Sequence, residues 1–447
     1  MGSHPIRLVV EDDLQRSRLT VFLRLILAIP HLIWISLWTL VMILAAILSW
    51  FLVLILGRLP LALHRFAAAY VRYSTHLNAY LYLAANGYPG FAGEAGDYAV
   101  DVKIDKPAPQ SRWKTAFRIF LALPALFLMS TLVGFGAGGG GGGQYSSGGA
   151  TGEDVSWGQE LAWSFGGTVS AVAVAAILGW FVCVARGRMP LGFRDLAVFG
   201  LRFAAQTIGY LLFLTDRYPD ADSNDPAATQ PTPEKPITLR VDDDLRRSRL
   251  TVFFRLLLTI PHFIWLILWG IAVFFALIFG WFATLITGRL PEALHRFFAA
   301  YLRYETHVFA FVYLVANPFP GFTGAAGSYP VDVEIAPRER QNRWKTLFRL
   351  FLAIPAFMLS SALGSALGVA AFLGWFVGLI LGRMPEGLRN LGAYVLRYSA
   401  QTYAYVYLLT DSYPYTGPTE YVAPEPEDVV EALPPWPGPL RPPSLSS

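Results

Sequence analysis

The sequence has 447 residues, of which 54% are hydrophobic, 15% aromatic and only 15% charged, with a mean hydropathy of +0.44. Soluble domains carry about 25% charged residues, so this composition excludes an ordinary soluble protein and indicates an integral membrane protein. A formal net charge of +4 is too small for the basic footprint of a nucleic-acid-binding protein, and no nucleic-acid partner is expected.

One pattern recurs four times along the chain over about 84 residues each time. Two arginines six residues apart are followed by a proline, a G-R-[LM]-P motif, a further arginine and a closing aromatic-Pro pair. In the first copy the arginines are Arg18, Arg24, Arg58 and Arg72. The first copy resembles the third and the second resembles the fourth, which predicts a duplicated two-unit module.

These repeats divide the chain into four predicted units. The predicted boundaries are 1–97 for unit 1, 98–219 for unit 2, 236–328 for unit 3 and 329–417 for unit 4. Unit 2 carries a Gly-rich insert at 134–167. A polar, Pro-rich linker is predicted at 220–235, and the Pro-rich tail at 418–447 is predicted to be disordered.

Each unit opens on a short run of alternating hydrophobic residues, Ile6, Leu8 and Val10 in unit 1. Alternation with a period of two predicts a half-buried β-strand. Two acidic clusters follow the strands of units 1 and 3, close to arginines: Glu11, Asp12 and Asp13, and Asp242, Asp243 and Asp244. We expect local pairing or helix capping there, with calcium binding as the alternative.

A long apolar stretch comes next, 38 residues between Leu19 and Leu56, about twice the length of one span. The polar insert of unit 2 cannot lie exposed in hydrocarbon, so its position is expected to mark a loop in every unit. Each unit is therefore predicted to form a transmembrane helical hairpin, 19–38 and 40–56 in unit 1, which gives about eight spans. Arginines flank only the base of the hairpin, so the positive-inside rule places the strands and both termini in the cytoplasm.

A further helix is predicted at 61–85, after Pro60. One stripe of this helix and its counterparts is always basic or polar, which is typical of an amphipathic helix at a membrane interface; a spanning or re-entrant helix is the alternative. We expect this stripe and the G-R-[LM]-P arginines to bind anionic lipid headgroups. The predicted lipid-binding residues are Arg58, His64, Arg72, Arg188, Arg194, Arg202, Arg289, His295, Arg303, Arg383, Arg389 and Arg397.

The second arginine of each unit lies one and a half turns into the first apolar helix. It either snorkels to the interface or lines a path through the membrane. The four candidates for such a path are Arg24, Arg118, Arg255 and Arg349.

Catalytic and metal-binding patterns are weak. His64 and His76 lie about 18 Å apart along one helix, and units 2 and 4 replace them with other residues, so no metal or cofactor is expected. The chain has no Walker loop, no G-x-S-x-G and no H-E-x-x-H. We therefore expect no catalytic residues and no enzymatic activity.

The stretches "SRLTVFFRLLLTIPHFIW" and "GRLPEALHRFFAAYLRYETHVFAFVYL", with the closing Tyr-Pro, resemble a bacterial membrane family known as domain of unknown function 4389. The resemblance covers nearly everything from 4 to 415 and implies no activity. The sequence thus predicts a mainly α, polytopic protein of the bacterial inner membrane that binds anionic lipid or an unknown membrane protein. A transporter or channel between the four hairpins is the first alternative, and a lipid-modifying enzyme is the second.

Overall fold

The computed structural model describes residues 4–134, 170–223 and 235–419. The Gly-rich insert after its first residue, the linker between 224 and 234 and the tail from 420 onward lie outside the described residues. The predictions made for those segments therefore stay predictions.

The described chain is mainly helical, with four short strands. The strands are β1 (Ile6–Val10), β2 (Val100–Ile104), β3 (Ile237–Val241) and β4 (Val331–Ile335). The helices are α1 (Arg18–Leu56), α2 (Leu61–Leu81), α3 (Arg112–Ala116), α4 (Arg118–Leu132), α5 (Ala171–Arg186), α6 (Leu191–Leu211), α7 (Arg249–Thr287), α8 (Glu292–Val312), α9 (Arg343–Leu347), α10 (Arg349–Leu381) and α11 (Glu386–Val406).

The predicted transmembrane hairpin is wrong, because the apolar stretch of unit 1 forms one continuous helix of 39 residues through Thr39. Its buried residues recur at intervals of three, four or seven positions from Val21 to Val53, so one stripe packs against neighbours along the whole helix. Gly270, at the position in unit 3 where the insert of unit 2 predicts a loop, lies inside α7. A Cβ at this glycine would lie 3.1 Å from the hydroxyl of Tyr301, so the glycine permits a close helix contact.

The helices and strands form three layers. The apolar layer contains α1, α4, α5, α7 and α10, and in it α5 contacts α1 while α10 contacts α4, α5 and α7. The middle layer contains α2, α6, α8 and α11, each packed against a helix of the apolar layer. The sheet layer contains the four strands, which pack on the middle layer.

The sheet layer consists of two antiparallel strand pairs, β1 with β2 and β3 with β4. Leu8 faces Val102 at the centre of the first pair, and these two residues occupy the same place in the sequence pattern of units 1 and 2. A local two-fold axis therefore passes between them. Accordingly, the backbone N–H of Arg16 donates to Gly187 (2.9 Å) and that of Gln110 to Gly57 (2.8 Å), so each unit begins beside the end of its neighbour's apolar helix.

The helix predicted at 61–85 forms as α2, but its predicted place at the membrane interface is wrong. It lies between α1 and β2 and is buried on most sides. Its arginine faces the sheet, where Nε of Arg72 donates to the carbonyl of Val102 at 3.0 Å. The start of the predicted linker is also packed, because Ala221 and Ser223 are buried.

Three helices, α1, α7 and α10, are long and apolar enough to cross a membrane by length and composition. The remaining apolar helices of the described chain, α4 and α5, have 15 and 16 residues. The eight predicted spans are therefore not found among the described residues.

The continuity of α1 can be measured with spin labels at Phe22 and Ile55, both exposed, in a Cys183→Ala background. We expect a label separation near 50 Å, because 33 residues of helix rise about 1.5 Å each. A hairpin would bring the two backbones to roughly 10 Å. A short distance in a double electron–electron resonance measurement would contradict the continuous helix.

Candidate functional site

The most distinctive polar contact joins the apolar layer to the middle layer. Arg24 lies in the second turn of α1, is 2% exposed and donates through Nη1 to the carbonyls of Tyr80 and Ala85, the latter at 3.1 Å. Its guanidinium carbon lies 4.4 Å from the centre of the Tyr80 ring. The last carbonyls of a helix lack partners inside the helix and carry the negative end of its dipole, so Arg24 caps α2.

The same contact recurs at the other three arginines of this position, all at most 2% exposed. The carbonyl pairs that accept from them are those of Tyr210 and Thr215 for Arg118, Phe311 and Ala316 for Arg255, and Tyr405 and Thr410 for Arg349. Snorkelling to the interface is therefore wrong for these arginines. A path along them stays a prediction, but each guanidinium already binds two backbone carbonyls.

The capping arginines differ in how their charge is balanced. Arg349 also contacts Asp411 and the amide oxygen of Gln341, and Arg118 pairs with Asp216 at 2.5 Å. In contrast, Nη2 of Arg24 and of Arg255 meets no hydrogen-bond partner among the described residues. Units 1 and 3 thus hold an unbalanced buried guanidinium against an aromatic ring.

A second arginine holds the strained residue that ends each middle-layer helix in units 1 and 3. Leu83 has φ 61°, a left-handed conformation that costs roughly 1–2 kcal/mol for a residue with a Cβ. Arg16 donates to its carbonyl and pairs with Asp12 at 2.8 Å. Arg247 and Asp243 pair at the same distance in unit 3, which confirms the local pairing predicted for the acidic clusters.

The predicted lipid-binding residues separate by exposure. Three arginines of the middle layer, Arg194, Arg202 and Arg397, are at most 5% exposed. Nη2 of Arg202 and of Arg397 donates to backbone carbonyls. Nε of Arg194 donates to Asp195 at 2.7 Å. His64 is also buried, and burial, aided by the charge of Arg72, lowers the pKa of His64. Arg72, His295, Arg303 and Arg389 are half-buried.

The arginines of the G-R-[LM]-P motifs remain exposed, and each lies near the first arginine of the neighbouring unit. For example, Nη2 of Arg112 donates to the carbonyl of Ile55 at 3.0 Å, close to Arg58. We call these eight exposed side chains the corner arginines. They are Arg18 with Arg188, Arg58 with Arg112, Arg249 with Arg383, and Arg289 with Arg343.

A histidine–carboxylate pair that the sequence did not predict links α2 to the sheet. Nε2 of His76 lies 2.9 Å from Asp101 on β2, and the other carboxylate oxygen accepts from the N–H of Gly96 at 2.7 Å. Burial alone would raise the pKa of Asp101, but these hydrogen bonds outweigh it and hold the pKa below its usual value. An aspartate on an alternating strand suggests a solvent-facing side chain, so only the fold reveals the pair.

One buried carboxyl was also missed. Glu305 lies on α8 in the stretch "RYETH". The other units have serine or alanine at the corresponding position, and this difference was the feature of the sequence that could have pointed to Glu305. Burial raises the pKa of Glu305 to about 7, although a hydrogen bond from Tyr407 acts in the opposite direction. The carboxyl of Glu305 therefore gains or loses a proton near neutral pH.

Two open depressions lie in the second half of the chain, one between units 3 and 4 and one in unit 3. A polar cleft of about 540 Å³ beside β3 and β4 is lined by Arg240, Arg303 and Asp332, among others. An apolar groove of about 500 Å³ along α7 is lined mainly by Trp265, Trp269 and neighbouring apolar side chains. Within the described ranges, no group of three His, Cys, Asp or Glu side chains could hold a metal ion.

The layers and contacts define a mainly helical protein with exposed apolar helices, consistent with a membrane protein. The model of the family described as Domain of unknown function (DUF4389) matches residues 18–92, 249–323 and 343–416, together half of the chain. The protein belongs to that family. The matches fall in predicted units 1, 3 and 4 and leave unit 2 unmatched. No curated protein and no solved structure matches the chain.

The capping role of Arg349 can be tested by a double-mutant cycle. We expect Arg349→Met to lower the free energy of unfolding by about 3 kcal/mol, because it removes a buried guanidinium and leaves Asp411, whose side chain is only 14% exposed, without its cation. Arg349→Met with Asp411→Asn should cost less than the sum of the two single changes. The measurement is denaturant unfolding in detergent micelles.

The matched control is Arg383→Met, which removes an exposed arginine and should change stability by at most about 0.5 kcal/mol. Equal effects at Arg349 and Arg383 would contradict the capping role, and additive costs would show that Arg349 and Asp411 are not coupled.

Glu305 predicts an unusual pH dependence. Because its folded pKa is about 7, above the unfolded value near 4.3, the carboxyl stabilises the fold at low pH and loses that contribution as the pH rises through 7. Glu305→Gln should therefore raise the unfolding temperature at pH 8 relative to the parent, and less so at pH 5. Glu292→Gln, at the exposed start of the same helix, should show no such difference; a shift common to both pH values would contradict the assignment.

Proposed function

We propose that this protein is a non-enzymatic membrane protein that binds anionic lipid headgroups through the corner arginines. The observation that carries the proposal is the position of these cations, exposed at the ends of exposed apolar helices. Each such cation contributes about 1 kcal/mol toward an anionic surface. The planar guanidinium fork also matches phosphate oxygens in a bidentate way.

The proposed lipid site is narrower than the basic stripe predicted from the sequence. Arg58, Arg188, Arg289 and Arg383 stay in it because they are exposed. The middle-layer arginines are left out. Five of them bind carbonyls or carboxylates within the protein, namely Arg72, Arg194, Arg202, Arg303 and Arg397, and Arg389 is half-buried. The exposed tryptophans Trp113 and Trp344, each next to a corner arginine, support the proposal because tryptophan favours the headgroup level.

The same proposal includes the location and the number of units. A bacterial inner membrane with the sheets and termini on the cytoplasmic side fits the positive-inside rule, since the corner arginines border the apolar layer. We further propose that 98–219 is a fourth copy of the unit, although the family model does not match it. The supporting contact is that of Arg118, which binds the two carbonyls corresponding to those bound by Arg24.

The lipid proposal is tested by the rise in unfolding temperature when phosphatidylglycerol, rather than phosphatidylcholine, is added to the protein in detergent. A ligand that binds only the folded state raises this temperature. Changing Arg58, Arg188, Arg289 and Arg383 together to Gln should abolish most of the phosphatidylglycerol-specific rise.

The control changes four exposed cations of the sheet layer and its edge to Gln, which gives the same change of net charge. These are Arg7, Lys103, Lys106 and Arg240. The control should keep the full phosphatidylglycerol effect. An equal loss in both variants would mean that only net charge matters and would overturn a site at the corners.

A further inference from the structure

The exposed apolar surface lies on one face of the molecule. Apart from aromatic residues in loops and short helices, and from Leu61 and Leu347, the exposed large hydrophobic side chains of the described chain belong to the apolar layer. On α1 they extend from Leu19, 70% exposed, to Leu56, 54% exposed. The strands on the opposite face expose charged side chains instead, such as the ion pair of Arg7 and Asp105.

The longest apolar helices are too long to cross a bilayer at the usual tilt of a spanning helix. A helix of 39 residues is about 58 Å long, whereas the hydrocarbon core of a bilayer is about 30 Å thick. To fit between the two surfaces, α1 would tilt roughly 60° from the bilayer normal, while spanning helices tilt by about 20° on average and rarely beyond 40°.

The sheet lies over the middle of α1 and not beyond its end. Halfway along α1, Thr39 hydrogen-bonds through Oγ1 to the hydroxyl of Tyr70 on α2 at 2.9 Å. Two residues further along α2, Arg72 binds β2 on the other side. If α1 stood upright, the exposed ion pair of the sheet layer would lie at the depth of the hydrocarbon, where charges are strongly disfavoured.

The corner arginines also argue against an upright apolar layer. Because each unit begins beside the end of its neighbour's apolar helix, neighbouring apolar helices run in opposite directions, and both ends of each helix carry exposed arginines. An upright layer would place equal numbers of arginines on both sides of the membrane, against the positive-inside rule. A layer lying flat places all eight at the level of one set of headgroups.

We propose that the apolar layer lies flat within a single leaflet of a phospholipid bilayer, with the corner arginines at that leaflet's headgroups and the sheet layer in water. The partner surface is thus one leaflet that carries anionic headgroups. The apolar layer is one helix thick, about 10 Å, which is comparable with the 5–10 Å depth to which helices lying flat at the boundary between headgroups and acyl chains are buried. The inference rests on the membrane location within the proposed function and adds an orientation to it.

The test labels both ends of α1 in one molecule. The variant Gln15→Cys with Arg58→Cys, in a Cys183→Ala background, is reconstituted into sealed vesicles and treated with a membrane-impermeant maleimide. A flat layer has both cysteines on one side, so intact mass should show molecules with two labels or none. A crossing helix has them on opposite sides, so every molecule would carry one label, which would overturn the inference.

A depth measurement gives an independent readout. Fluorophores at Leu25, Leu40 and Ile55, all exposed, are quenched by lipids that carry a quencher at a shallow or a deep position. Equal, shallow depths at the three sites are expected. A middle site deeper than both ends would overturn the flat orientation. Vesicle flotation separates the two proposals: protein that does not float overturns the membrane location, whereas protein that floats with single labels overturns only the orientation.

Discussion

The structure depends most on the contact between a buried guanidinium and the carbonyls at the end of a middle-layer helix. At Arg24 one nitrogen binds two carbonyls of the turn that ends α2. The carbonyl of Tyr80 also accepts from the N–H of Leu83 at 3.2 Å, so the arginine adds a charged donor there. A hydrogen bond to a charged group contributes about 1.5–3 kcal/mol. The contact also fixes where α2 ends relative to α1, so it aligns the middle layer on the apolar layer in each unit.

The other side of the middle layer is fixed by polar contacts of its own. Arg72 and His76 both bind β2, one through a backbone carbonyl and one through a carboxylate. Each middle-layer helix therefore contacts the apolar layer on one side and the sheet layer on the other. Many of its polar side chains form hydrogen bonds within the protein. Among the predicted lipid-binding residues, the exposed cations are those of the G-R-[LM]-P motifs, so the proposed lipid site lies at the ends of the apolar helices and not on the helix stripe.

Local patterns predicted local structure well. The alternation of Ile6, Leu8 and Val10 gave β1, and Pro60 preceded α2 as expected. What covers each face was not predictable, because a basic stripe on α2 suits lipid headgroups and a sheet edge equally well. Hydrophobic length was equally ambiguous, since 38 apolar residues fit two short spans or one long helix. The insert of unit 2 suggested a turn in every unit, but the corresponding stretches of units 1, 3 and 4 form the continuous helices α1, α7 and α10.

The four capping sites also show why the units are of two kinds. In unit 1, Asp12 neutralises Arg16, and Arg24 is left with carbonyls and the ring of Tyr80. In unit 2, the residue corresponding to Arg16 is the neutral Gln110, and an acidic residue after the helix, Asp216, pairs with the capping arginine directly. Both arrangements satisfy the same carbonyls, but only the first buries an extra positive charge. Changing Arg16 alone to glutamine would leave Asp12 without its cation, and changing Asp216 alone to asparagine would leave Arg118 without its anion. The likeness of unit 1 to unit 3 and of unit 2 to unit 4 therefore has a physical basis, because the buried charges must be changed together.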